Sequence, residues 1–115
     1  MSTDTINAIE RNIAKAKVVL EFSAALERLR SNRDFKKVVL EGYFEQEAIR
    51  LVHLKSDPNM QSPAIKQSID DQIDAIGQLS QFFATALQKS SMASRQIEAD
   101  QEAIEELASE GLTND

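Results

Sequence analysis

Apolar residues recur every three or four positions from the start of the chain: Ile6, Ile9, Ile13, Ala16 and Leu20 are spaced 3, 4, 3 and 4. An α-helix completes a turn in about 3.6 residues, so this spacing lays them along one stripe. Val19 and Phe22 widen the stripe, and Leu26 and Leu29 prolong it. The polar opening "STDT" supplies side-chain oxygens suited to capping, and Asn7 with Glu10 offers a cap slightly later. The pattern predicts a helix over 4–30.

"SNRD" interrupts it. Ser31 with Asp34, or equally Asn32, can cap a new short helix over 33–41 with Phe35, Val38 and Val39 inward. Gly42 is placed to end that helix, because glycine takes up the left-handed conformation that other residues reach only at a cost. "YFEQEAIRLVHLKS" then resumes helical spacing over 44–56, with Phe44, Ala48, Leu51 and Val52 on one side. Asp57-Pro58-Asn59 is turn chemistry, since the residue before a proline is pushed out of the helical region.

Ser62 as N-cap and Pro63 in the first helical position open the last element. From there Ile69, Ile73, Ile76, Ser80, Phe83, Leu87, Ser90, Ser94, Ile97, Gln101, Ile104 and Ala108 keep a 4-3 rhythm, the mark of a heptad seam. Serine and glutamine dilute it beyond Leu87, and Ser90-Ser91, two poor helix formers, mark a place to bend. The expected helix covers 63–109, leaving 110–115 as a tail. The expected fold is all-α: a single domain, 1–115, shaped as an elongated helical hairpin. It carries a helix–corner–helix insert and a long C-terminal coiled-coil-like helix. A helix of ~45 residues would run ~65 Å, against a radius of gyration near ~13 Å for a globule of this size. Its excess apolar surface predicts a homo-oligomer joined through Ile69, Ile73, Ile76, Phe83, Leu87, Ile97 and Ile104. Gly77 would permit close helix approach; the plainer alternative is a tolerated glycine that costs ~1 kcal/mol against alanine.

Composition supports this picture. Three glycines, two prolines and 42% hydrophobic residues suit helices with few loops. There is no cysteine, hence no disulfide and no thiolate ligand or nucleophile. No apolar run approaches the ~20 residues that span a bilayer, and "MSTDTINAIERN" lacks the form of a secretory signal. The net charge of −6 is uneven. Residues 96–115 hold Glu98, Asp100, Glu102, Glu105, Glu106, Glu110 and Asp115 with no lysine or arginine, while 1–95 hold 13 basic and 12 acidic groups. Arg28, Arg30, Arg33, Lys36 and Lys37 cluster, broken only by Glu27 and Asp34. Such asymmetry guides head-to-tail association or docking on a charged partner.

Chemistry finds little to use. His53, the sole histidine, stands among Glu45, Glu47 and Asp57, yet helical metal ligands must be three or four residues apart. Arg50 and Ile49 occupy those positions before it, and Asp57, four after it, falls at the expected helix end, so His53 is expected to be a partly buried packing residue. Asp71 with Asp74, and Glu102 with Glu105, imitate the paired carboxylates of all-helical pyrophosphohydrolases. They lie about thirty residues apart on one expected helix and cannot converge. No phosphate loop or nucleophile elbow is present, so no enzyme and no cofactor are expected. Glu27, Asp34 and Glu41 weaken the basic cluster and no aromatic–basic interleaving exists, so direct nucleic-acid binding is not expected either. "GYF" is then a packed corner, with Phe35, Tyr43 and Phe44 bracing the bend at Gly42. Each buried ring is worth roughly 1.5–3 kcal/mol.

"NRDFKKVVLEGYFEQEAIRLVHLKSDPNMQ", residues 32–61, with the later "IGQLSQFF", resembles a group of small helical proteins encoded by tailed bacteriophages. The resemblance covers about the middle half of the chain and carries no functional residue with it. It implies a viral setting, in the host cytoplasm or the virion, and a non-enzymatic structural or assembly role. Partners would be further copies and other phage or host proteins. A small acidic inhibitor of a host protein is the alternative role.

Overall fold

The computed structural model describes residues 2–113, and every element among them is helical. Helix α1 is Ser2–Arg30, as its stripe requires. A second helical run follows without interruption: α2 (Arg33–Phe35), a π-helical stretch (Lys36–Glu47) and α3 (Ala48–Ser56). A 3-10 turn at Pro58–Met60 leads into α4 (Pro63–Thr113), 51 residues long. Residues 110–113, expected as tail, belong to α4, and 114–115 lie outside the described residues. Contacts group the chain into two units, Leu26–Thr85 and Met1–Ala25 with Ala86–Asp115.

Within Leu26–Thr85 the ends of the elements follow the side chains available. Asn32 Oδ1 accepts the amides of Asp34 at 3.0 Å and Phe35 at 2.9 Å, an N-cap that satisfies two otherwise orphaned donors. The Asp57 carboxylate accepts the Asn59 amide at 2.8 Å, and Gln61 Nε2 donates to the carbonyls of Lys55 and Asp57 at 3.0 and 2.7 Å. Ser62 Oγ accepts the Ile65 amide at 3.3 Å, capping the helix that Pro63 opens. Leu51, 1% exposed, centres the core with Ile69 and Ile76; Tyr43, Phe44, Ala48, Leu54, Met60 and Ile73 pack around them. Lys55 Nζ lies 2.8 Å from Asp70 Oδ1, tying α3 to α4. That hydrogen bond holds the Lys55 ammonium above its ordinary pKa.

The corner expected at Gly42 does not form. No glycine among the described residues has a positive φ, and the chain passes through Gly42 inside the π-helical stretch. The reason lies in the aromatic residues. At about 100° per residue an α-helix would set Phe35 and Phe44 about 180° apart. Bonds that close on the fifth residue widen the turn and reduce the angle per residue. Both rings then reach one partner, with centroids 6.0 Å (Phe35) and 5.8 Å (Phe44) from Phe83. A Cβ at Gly42 would sit 3.1 Å from the Lys37 carbonyl oxygen, five residues back in the same π-helical stretch.

In the other unit Ile13, Ala86, Ala93 and Ile97 are buried, and so is Ser23. The Ser23 and Ser90 hydroxyls share a hydrogen bond of 2.7 Å, and Ser23 Oγ is 3.0 Å from the Leu20 carbonyl oxygen. The 4-3 rhythm persists here, but its second track is one residue earlier than expected. Ala86, Ala93, Asp100 and Leu107 turn inward with Ser90, Ile97 and Ile104, while Ser94, Gln101 and Ala108 are exposed. The earlier track buries the small Ala86 and Ala93 and leaves Ser94 and Gln101 in water, at the cost of half-burying Asp100. Helix α4 is unbroken at Ser90-Ser91. Ser90 Oγ instead accepts the Ser23 hydroxyl.

Candidate functional site: outer helix faces

The seam expected to join copies is largely used by the chain itself. Ile69, Ile76 and Ile97 are buried, and Ile73, Phe83, Leu87 and Ile104 are half-buried. Ile69, Ile76 and Ile97 are covered within the chain and have little apolar area left to offer a second copy, while Ile73, Phe83, Leu87 and Ile104 keep part of theirs. Gly77 is exposed and a Cβ there meets nothing within 4 Å, so no helix approaches it closely. Alanine should therefore stabilise the helix at position 77 by about 1 kcal/mol. At position 42 the contact with a backbone carbonyl should make the same change destabilising. Thermal unfolding followed by circular dichroism checks both signs; a destabilising Gly77→Ala would show that something does pack there.

Tyr43 and Phe44 do brace the core, ring centroids 6.0 Å apart, although no bend accompanies them. Tyr43, Glu47, Leu51, Gln72, Ala75 and Ile76 border a depression of about 250 Å³. The Arg50 guanidinium hydrogen-bonds Glu47 and holds its carboxyl below the usual carboxylate range. His53 is exposed rather than packed, because α3 turns Leu51 and not His53 toward α4. Among the described residues no three histidine, aspartate or glutamate side chains come together as metal ligands. Asp71 and Asp74 are exposed, and Gln67 Nε2 donates to Asp71 Oδ1 at 2.8 Å.

The charged groups sort clearly. Arg30 pairs with Glu27 at 3.4 Å. Arg28, Arg33, Lys36 and Lys37 are exposed and make no ion pair among the described residues. Ser31, Arg33, Lys36, Lys37 and Glu41 border a concavity of about 410 Å³. On α4, Glu98, Glu102 and Glu105 are exposed at 4-3 spacing, on the side away from Ile97, Ile104 and Leu107. Glu106 and Glu110 are exposed beside them. Like charges four residues apart destabilise a helix by roughly 0.2–0.5 kcal/mol per pair, so this row is costly where it stands. Asp100 does not belong to it. It is half-buried, accepts Gln96 Nε2 at 2.8 Å through Oδ1, and its Oδ2 is buried without a partner among the described residues.

Large apolar side chains also remain in water: Val38 is 66% exposed, Ile49 57% and Val52 56%, with Val18 and Met92 similar. No helix among the described residues is long and apolar enough to cross a membrane. Comparison with protein families, curated proteins and solved structures finds no match to this chain.

Proposed function

We propose that the chain is a non-enzymatic structural or assembly protein of a tailed bacteriophage, acting in the host cytoplasm or the virion by associating with copies of itself. The association surface is not the α4 seam but the outside of the helices. The observation that carries this reading is Ile49 and Val52, three residues apart on one side of α3 and both more than half exposed after the core around Leu51 is complete. They fall within residues 32–61, the segment that resembles the phage group. At roughly 25 cal/mol per Å² of apolar surface removed from water, two such side chains give a second copy a modest but real gain. Sedimentation velocity of the wild type should show reversible self-association, and Ile49→Ser with Val52→Ser should weaken it while leaving helicity unchanged. A wild type that sediments as a monomer throughout would overturn the reading.

A second reading rests on the outward row of Glu98, Glu102 and Glu105. A line of carboxylates can occupy a basic groove on a host protein and inhibit it. Ile49→Ser with Val52→Ser separates the two roles: self-association would weaken, whereas inhibition through the exposed carboxylates would survive.

A further inference from the structure

We infer that the concavity bordered by Ser31, Arg33, Lys36 and Lys37 receives the outward carboxylates Glu98, Glu102 and Glu105 of a second copy of this chain. The inference rests on the reading that the protein self-associates, and it names the contact that directs the association. Three cations surround a depression of about 410 Å³, and none of them has an ion-pair partner among the described residues. Glu41 is the one acid at its edge. The amides at the adjoining helix start are already taken by Asn32, so the side chains supply the positive field. The opposite charge is carried elsewhere on the same chain, in a form that fits. Glu98 and Glu102 are one turn apart, about 6 Å along the axis, and Glu105 continues the row. Residues 96–115 hold seven acids and no base, while the remaining 95 hold one more base than acid. A contact between the two regions of different copies relieves the repulsion along the row and neutralises the cations in one step. Arginine can grip a carboxylate through two parallel hydrogen bonds, and the lysines contribute point charges beside it.

Two charge-reversed proteins test this. The first carries Arg33→Glu, Lys36→Glu and Lys37→Glu; the second carries Glu98→Lys, Glu102→Lys and Glu105→Lys. All six positions are exposed, so both should keep wild-type helicity. Sedimentation velocity at low salt should show each alone with association weakened at least tenfold. An equimolar mixture should recover it, because each reversed face then meets its opposite. Wild-type association that persists in both variants would overturn the charge contact while leaving self-association standing. A monomeric wild type would overturn both. Weakened variants that do not recover on mixing would show that the two faces do not meet, and retention of the wild type but not the first variant on a duplex DNA column would then assign the cations to a polyanion.

Discussion

Replacing Leu51 by alanine should cost about 2–5 kcal/mol, the range for removing a buried leucine and leaving part of a cavity behind. Leu51 is 1% exposed and is the largest fully buried side chain described in the protein. It is the residue through which α3 reaches Ile69 and Ile76 of α4. Nothing else on α3 is comparably covered, so the lost contacts have no substitute nearby. Whole-domain stabilities are about 5–15 kcal/mol, so the change removes a large share of what holds Leu26–Thr85 together. Urea denaturation followed at 222 nm measures it, with Leu51→Met, expected to cost less than about 1.5 kcal/mol, as the volume control. A cost below about 1 kcal/mol for the alanine variant would mean that α3 does not pack on α4 through this residue.

Phe83→Ala should be the second large loss, about 2–3 kcal/mol, below the 3–5 typical of a fully buried ring because Phe83 is half-buried. Its ring touches those of Phe35, Phe44 and Phe82 at 6.0, 5.8 and 6.0 Å. Edge-to-face and tilted pairs add roughly 0.5–1.5 kcal/mol each beyond area burial. The variant also tests why Lys36–Glu47 winds as a π-helix. Without a shared partner for Phe35 and Phe44, the wider winding loses its main support. Hydrogen exchange of the amides from Lys36 to Glu47 should therefore accelerate more than that of α3 as a whole. Equal acceleration across both would detach the winding from the aromatic contacts.

Much of the fold is legible in the residues. The stripe from Ile6 to Leu20, the caps at Asn32 and Ser62 and the proline at position 63 each state a local physical demand, and each element begins or runs where that demand places it. Gly42 makes no corner because glycine is compatible with a helix end but does not impose one. The signal against it lay in the half-buried positions Phe35, Val39, Tyr43, Glu47 and the buried Leu51, four residues apart throughout. A period of four drifts by about 40° per step in an α-helix and suits a wider winding. The inward track of α4 lies one residue earlier than its large hydrophobics suggest, because Ala86 and Ala93 look too small for a core yet are buried. Small residues pack well where helices approach closely, which no count of large hydrophobics reveals. The outward carboxylate row at Glu98, Glu102 and Glu105 is visible as a charge run in the sequence. Its separation from half-buried Asp100 required the packing.

If copies of the chain meet through their outer faces with charge directing the contact, as proposed, their association must respond to salt. Sedimentation equilibrium at two ionic strengths tests it most directly. At about 0.01 M salt, where charges act over about 30 Å, the mass should exceed the 12.8 kDa of one chain. At about 1 M, where the reach shrinks to about 3 Å, it should fall back toward 12.8 kDa. A mass of one chain at both strengths would contradict self-association, and a larger mass indifferent to salt would contradict the charge contact while leaving association through Ile49 and Val52 standing.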